Sequence, residues 1–493
     1  MIEQLIAGFG DAVTLTNLAF IAAGITLGII IGVIPGLGSV TALAVLIPIT
    51  YYMQPLAAIA FLVGVNKGAT SGGAVPAILL NSPGTPEAAA AAFDGFPLAK
   101  KGEGVRAMKF ALYSSVTGDT ISDLLLIALV VPFAAIALEF GPLEYATVIL
   151  FAFTLLAGIS SESPIKGLIS IFLGVFLSTI GLDPVESSQR MTFDQVNLYD
   201  GLPLTAIAIG ALALASVLEQ MFDLSRRRKN VPKATDYDIR LEQSKLPFLE
   251  FISYWKTIGR SALIGSGVGM LPGLGVTLAA FLSYGAARRA SANPDSFGKG
   301  NPEGIVATEA ANSAVVGANL IPTIALGIPG NVAAALLIGA FIIHGIVPGP
   351  FMLMSHGELV YALFASMLIA NGVHLIIGKF GITLWGYVAR APKAAVLPPV
   401  LIMCIFGVYL PGQSLFDVGV MLIFAGVGLA MRRTGFSVVC LVIGFLLGNL
   451  FEIYLRQSLL LYRAEVSAIF DSPISIGFLL LTVLVLIRAF RKS

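Results

Sequence analysis

Apolar residues run along this chain in blocks too long for a soluble fold. Stretches near 110–138, 143–159, 163–181, 202–222, 357–378, 395–411, 415–431, 436–451 and 474–488 are almost free of charge. A hydrocarbon core of about 30 Å takes roughly 20 apolar residues of helix, so each is a candidate membrane span. Four further apolar stretches, at 15–49, 57–92, 258–286 and 303–343, are interrupted by Pro-Gly pairs where a helix would otherwise continue. The pattern predicts an all-α polytopic membrane protein with roughly 12 membrane segments, several of them broken.

The interruptions recur. Pro35-Gly36-Leu37-Gly38 returns as Pro272-Gly273-Leu274-Gly275 at an offset of 237, and Asn66, Pro76, Pro83 and Gly84 return as Asn312, Pro322, Pro329 and Gly330 at an offset of 246. The nine-residue difference fits an insertion in the polar loop 288–304. Short cytoplasmic loops are enriched in Lys and Arg. The loop after the first Asn-to-Pro-Gly unit carries Lys100, Lys101, Arg106 and Lys109, whereas its counterpart after the second carries none; before the units the bias reverses, with Arg288, Arg289 and Lys299 only in the second copy. Corresponding loops therefore belong on opposite sides, the signature of an inverted-topology repeat.

Basic ends at 226–229, 390–393, Arg432-Arg433 and 488–492 fit one alternating topology, with the N-terminus outside and the C-terminus inside. It returns segment 258–286 to its starting side, so each Pro-Gly-Leu-Gly is expected at the tip of a re-entrant hairpin. The expected organisation is repeat 1 over 1–222 (hairpin 15–49, broken helix 57–92, spans 110–222) and a cytoplasmic linker over 223–257. Repeat 2 follows over 258–455 (hairpin 258–286, broken helix 303–343, spans 357–451), then an extra C-terminal span over 456–493.

Composition agrees: 57% hydrophobic, 12% charged and a mean hydropathy of +0.91, against about 25% charged residues in soluble domains. A net charge of +1 gives no polyelectrolyte character and no nucleic-acid partner. Cys404 and Cys440 have neither metal-ligand nor redox spacing and read as small buried hydrophobes. The first residues lack a basic region and an A-x-A site, so no cleaved signal peptide is expected. H-E-x-x-H, G-x-S-x-G and P-loop motifs are missing, which leaves hydrolytic and ATP-driven readings without chemistry and predicts a protein that is not an enzyme.

Irregular backbone at membrane depth persists only where protein or a wet cavity satisfies its polar groups. Four breaks in two related pairs therefore imply a shared central cavity. A fresh helix is expected after each break, at Ser39, at Thr85-Pro86-Glu87, at Val276-Thr277 and at Asn331-Val332, and free helix N-termini attract anions. Carbonyl, Asn and hydroxyl oxygens beside a break suit a hard cation. The expected passenger is an organic carboxylate, with Na+ as a candidate coupling ion, no resident metal and no cofactor.

Candidate substrate-binding residues are Pro35, Gly36, Gly38 and Ser39 at the first break and Asn81, Ser82, Gly84 and Thr85 at the second. Pro272, Gly273, Gly275 and Thr277 form the third group and Gly330 and Asn331 the fourth; Asn66, Lys67 and Asn312 precede the breaks. Candidates for the coupling ion are Asn66, Thr70, Ser71, Asp119, Asp123, Glu309 and Asn312. Glu87 is expected to favour a helix start, and His344, His356 and His374 form no cluster in sequence.

The strings "GVIPGLGS", "SGGAVPAILLNSPGTPEAAAAAFDGFPLAKKG" and "EAANSAVVGANLIPTIALGIPGNVAAALLIGAFIIHGIVPGP" together resemble the large membrane subunit of tripartite tricarboxylate transporters, the TctA family, over nearly the whole chain. The resemblance implies an ion-coupled importer of organic carboxylates in the bacterial inner membrane. Its implied partners are a small four-helix membrane subunit and a periplasmic solute-binding protein. The sequence departs from the family pattern ahead of the first Gly-Gly, where aromatic residues are usual and this chain has Asn66, Lys67 and Ser71. An ammonium near the bilayer centre costs about 2.5–3.5 kcal/mol on insertion scales, so Lys67 needs a purpose or a partner. It would contact a substrate carboxylate, replace a coupling ion, or form a structural pair reaching the aqueous edge. Asp119 and Asp123, four apart on one helix face, are the candidate partners. Rival readings are a passive channel and a membrane scaffold without a substrate of its own.

Overall fold

The computed structural model describes residues 2–159, 163–227, 246–272, 275–463 and 472–490. Its first half runs through α1 (Ile2–Ala12), α2 (Leu15–Gly32), α3 (Gly38–Leu46), α4 (Pro55–Gly72), α5 (Ala74–Leu80), α6 (Ala89–Leu98) and α7 (Gly104–Ala137). Helices α8 (Pro142–Ile159) and α9 (Pro164–Ser178) lead to the two-stranded hairpin β1 (Gly181–Leu182) and β2 (Gln189–Arg190). Then α10 (Leu204–Ala208) joins α11 (Ala215–Arg227) through a π-helical stretch at Ile209–Leu214. The second half comprises α12 (Phe248–Ile252), α13 (Trp255–Gly269), α14 (Gly275–Ala290), α15 (Pro302–Ala318), α16 (Leu320–Leu326) and α17 (Val332–Ile343). It ends with α18 (Met352–Ser355), α19 (Gly357–Val388), α20 (Lys393–Gly412), α21 (Leu415–Thr434), α22 (Val438–Leu461) and α23 (Pro473–Phe490).

The protein is all-α apart from the hairpin, and eight helices among the described residues are long and apolar enough to cross a membrane. The expected spans fall on helices. Two run further than expected, α19 to Val388 and α22 to Leu461, because no proline stops either. The border drawn at 455 therefore lies inside α22.

Two glycine stripes bring α2 and α4 together. Gly24, Gly28 and Gly32 face Phe61, Val65 and Ala69, while Gly64, Gly68 and Gly72 face Ile21, Ile25 and Ile29. Residues four apart share a helix face, and in lipid small residues drive association by letting backbones approach. A Cβ at Gly28 would stand 2.9 Å from Val65 Cα, and one at Gly72 would stand 2.9 Å from the Ile29 carbonyl oxygen. This contact fixes the rotation of α4 and with it the direction of Asn66 and Lys67.

The second half repeats these contacts at the same offsets. Gly265 meets Ala311 and Gly269 meets Val315 where α13 packs on α15, matching Gly28 with Val65 and Gly32 with Ala69. The turns that follow also correspond. Asn81 (φ 51) and Gly327 (φ 71) end α5 and α16 in the left-handed region. Gly84 packs on Gly32 and Gly73, as Gly330 does on Gly269 and Asn319. Beyond them, Ala88 N–H donates to Thr85 Oγ1 at 3.3 Å and Ala334 N–H to Asn331 Oδ1 at 2.9 Å.

Helices α3 and α14 begin at Gly38 and Gly275, and α17 begins at Val332 with Asn331 as its N-cap, each within a residue of expectation. α6 differs. It starts at Ala89, so Thr85-Pro86-Glu87 lies in the turn ahead of it. Pro83 and Pro86 remove two amide donors, and short turns, Ala89 N–H to the Pro86 carbonyl and Ala90 N–H to the Glu87 carbonyl, precede the regular ladder. Glu87 is consequently not a helix-capping residue.

Asp94 on α6 ties the halves together. Its Oδ1 accepts from the backbone N–H groups of Gly298, Gly300 and Asn301 at 2.8, 2.9 and 2.8 Å, and its Oδ2 accepts from the Tyr284 hydroxyl at 2.9 Å. The polar loop that absorbs the nine extra residues is thus folded around a carboxylate from the other half.

Candidate functional site

A cavity of about 670 Å³ opens where the interrupted segments meet. The first half supplies Gly36, Gly38, Ser39 and Thr41, then Asn66 and Thr70 from α4, then Gly84, Thr85 and Glu87. The second half supplies Gly275 and Thr277 from α14, Val316 from α15 and Asn331 ahead of α17. Ser216 of α11 and Arg432 of α21 complete the polar lining. The first turns of α3, α14 and α17 all border this space. A helix N-terminus presents unpaired N–H groups and the positive end of the dipole, so three such ends make the cavity attractive to anions. Arg432 brings a guanidinium to the wall, bonded to the Leu212 carbonyl at 3.2 Å and paired with Glu219 at 3.4 Å.

The remaining sequence candidates are elsewhere. Pro35 and Pro272 are half-buried beside their breaks, Gly330 packs inside the protein, and Asn81 and Ser82 are exposed at the end of α5. None of these lines the cavity. Gly273 lies outside the described residues. Asn312 is fully buried on α15, one turn before Val316, and neither of its side-chain polar atoms has a hydrogen-bond partner among the described residues. Asn319 shares that condition, as does Glu309 Oε1, while Glu309 Oε2 accepts from Ser115 at 3.1 Å.

α4 carries polar groups on two faces. Asn66 and Thr70 line the cavity, whereas Lys67 and Ser71, each one residue further on, turn toward α7 and α19. Within the segment expected as the broken helix 57–92, Lys67 sits inside the regular helix Pro55–Gly72, because the Gly-rich stretch packs on α2 and stays helical. It does not reach water: its side chain is 0% exposed. Its Nζ lies 2.6 Å from Asp123 Oδ2 and 3.7 Å from Asp119 Oδ1, and it donates to Asn371 Oδ1 at 2.7 Å. Asn371 Nδ2 in turn donates to Asp123 Oδ2 at 2.8 Å. Ser71 borders a cavity of about 30 Å³ shared with His374, a space of one water molecule.

Sequence reasoning missed Asn371, His374, Glu87 and Arg432. Asn371 and His374 stand one turn apart inside an apolar span, a position where polar side chains are costly and functional; that signal was there. His374 is fully buried at the small cavity it shares with Ser71, its ring nitrogens have no hydrogen-bond partner, and the histidines form no cluster among the described residues. Arg432 read only as a topology charge, because nothing local shows that α21 passes the cavity.

The fold and its cavity define a polytopic membrane protein of the transporter class. The chain belongs to the tripartite tricarboxylate transporter TctA family, whose description matches residues 18–443. It is therefore a membrane transport protein and not an enzyme. A similar protein in Agrobacterium vitis, described as an uncharacterized 52.8 kDa protein in TAR-I ttuC' 3'region, is 33% identical over 479 residues, covering 97% of this chain and 94% of that one. Another from the same organism, an uncharacterized protein in TAR-II ttuC' 3'region, is 35% identical over 229 residues, covering 46% of this chain and 95% of that one. No solved structure matches the chain.

Proposed function

We propose that this chain is the large permease subunit of a binding-protein-dependent secondary transporter that imports organic di- or tricarboxylates with Na+ or H+. It lies in a bacterial inner membrane, N-terminus on the periplasmic side and C-terminus in the cytoplasm. A small four-helix membrane subunit and a periplasmic solute-binding protein are its partners. The observation that carries this reading is the convergence of four chain breaks and three helix N-termini on one cavity with Arg432 at its wall. The substrate carboxylate is held by the N–H groups of α3, α14 and α17 and by Arg432. The two halves act as inverted repeats, and movement of the core, 15–92 with 258–343, against the outer helices exposes the cavity to each side in turn.

Uptake of labelled succinate and citrate into proteoliposomes, with and without the two partner subunits and with defined ion gradients, tests this. Accumulation should require both the binding protein and a gradient. Arg432→Gln should raise the apparent KM roughly tenfold, the size of one lost charge-assisted hydrogen bond. Equilibration without any gradient would identify a passive channel, and unchanged uptake when this chain is omitted would identify a scaffold.

A further inference from the structure

Between α4, α7 and α19 the buried charges do not balance. Lys67 supplies one positive charge; Asp119 and Asp123 supply two negative charges when both are ionised, and all three side chains are at most 1% exposed. Asp123 accepts at Oδ2 from both Lys67 and Asn371, although its Oδ1 has no partner among the described residues. Asp119 has no such bond. Its nearest cation is 3.7 Å away, and neither of its oxygens accepts a hydrogen bond among the described residues. The other titratable groups facing this point are His374 from α19, whose ring nitrogens are also without hydrogen-bond partners, and Glu309 from α15, bonded to Ser115 one turn before Asp119. An uncompensated charge taken out of water costs several kcal/mol even after relaxation. The cluster is therefore short of one positive charge.

The chemistry around Asp119 decides which cation fits. A hard metal ion takes its ligands from a shell of several oxygens. Here Asn371 Oδ1 is taken by Lys67, the Ser115 hydroxyl donates to Glu309, and the Ser122 hydroxyl donates to the Asp119 carbonyl. Gly118 lies against the backbone of Ala310, and Gly317 against Asp123 and Ser122, so α7 and α15 pack closely at this level. The Lys67 ammonium already occupies the cation position between the carboxylates. A proton needs neither space nor ligands.

We infer that Asp119 is a proton-binding site and that this chain couples carboxylate import to H+, with the Lys67 ammonium standing where a metal cation would otherwise be held. One proton from water bonds to a carboxylate oxygen of Asp119 on the loading side and leaves that oxygen for water on the other. Lys67 stays paired to Asp123 throughout. Because Asn66 and Thr70 of the same helix turn line the cavity, a shift of α4 on loading reaches the substrate. The inference rests on the transporter reading above.

Two measurements test it. In the purified full-length chain without substrate, infrared difference spectra between acid and alkaline pH should show a protonated carboxyl band that is lost as pH rises. Asp119→Asn should abolish it; Glu309→Gln should leave it, and Asp119→Glu should restore it at a shifted frequency in a variant that keeps the acid. A band untouched by Asp119→Asn overturns the inference. In proteoliposomes holding all three subunits, an acid-outside gradient in Na+-free buffer should drive succinate or citrate accumulation, and Asp119→Asn should lose that accumulation while retaining exchange between equal pools. Accumulation driven by Na+ alone overturns the inference. A wild-type chain that shows no exchange defeats the transporter reading instead, and the infrared result still decides the fate of Asp119.

Discussion

The two broken-helix units, α4 to α6 and α15 to α17, share a backbone and differ in charge. Asn66 corresponds to Asn312, the left-handed Asn81 to Gly327, the packed Gly84 to Gly330, and the helix-start acceptor Thr85 to Asn331. At the same offset, however, Lys67 corresponds to Ser313, Ser71 to Gly317 and Gly73 to Asn319. Gly317 is informative, since a Cβ there would stand 2.5 Å from both Asp123 Oδ1 and Ser122 Oγ. The second unit is pared back so that α7 can deliver its aspartates to the lysine of the first. Helix ends border the cavity from both halves, α3 from the first and α14 and α17 from the second. The ion pair is needed once.

The sharpest way to break this comparison is to remove the two corresponding side chains. Lys67→Met leaves Asp123 buried beside Asn371 with no cation, and losing one partner of a buried pair costs about 3–5 kcal/mol. Ser313→Ala removes a hydroxyl that has no hydrogen-bond partner among the described residues and should cost under about 1 kcal/mol. Thermal unfolding in detergent should separate the two clearly. The double variant Lys67→Met, Asp123→Asn should recover much of the loss. Equal destabilisation by the two single variants would mean that the charge asymmetry has no energetic content.

Next in size is the duplicated glycine contact. Gly28→Ala and Gly265→Ala push a methyl group against Val65 and Ala311 respectively, both backbone neighbours that cannot swing aside. Overpacking of this kind costs about 1–3 kcal/mol, and the two variants should fall within about 1 kcal/mol of each other if the halves pack alike. Gly267→Ala, on α13 with nothing within 4 Å, should be neutral or slightly stabilising through helix propensity. Unequal losses at positions 28 and 265 would show that the repeat in sequence is not a repeat in energy.

Much of this arrangement was legible beforehand. Pro-Gly is unmistakable inside an apolar run, so all four breaks and their correspondence could be found by alignment of the chain with itself. The expense of buried charge made Asp119 and Asp123 candidate partners of Lys67, but left that pairing as one of three roles for the lysine. What could not be read was rotation. Nothing in the sequence says that Asn66 and Lys67, adjacent in the chain, face different compartments, because that depends on which side of α4 the glycines of α2 occupy. Arg432 and Asn371 were hidden for a related reason: each reaches its site from a helix distant in sequence, and long-range contacts leave no local trace. The late start of α6 was missed because a proline-containing turn and a first helical turn look alike in composition.

The smallest difference between the units lies in their caps, and it separates stability from binding. Asn331 accepts from Ala334 at 2.9 Å and starts the 12-residue α17, whereas Thr85 accepts from Ala88 at a longer 3.3 Å, ahead of a helix that begins at Ala89. Asn331→Ala should cost about 1 kcal/mol, near the centre of the N-cap range, and Thr85→Ala less than half of that. Asn331→Asp keeps a good cap and should leave unfolding unchanged. It also places a negative charge at the cavity wall, beside N–H groups proposed to hold a carboxylate. Its apparent KM for succinate should rise several-fold, a loss of roughly 1 kcal/mol in binding, while its stability matches the parent. Were Asn331→Asp to bind substrate as tightly as Asn331 does, the α17 N-terminus would be a structural end only, and anion recognition would have to rest on α3, α14 and Arg432.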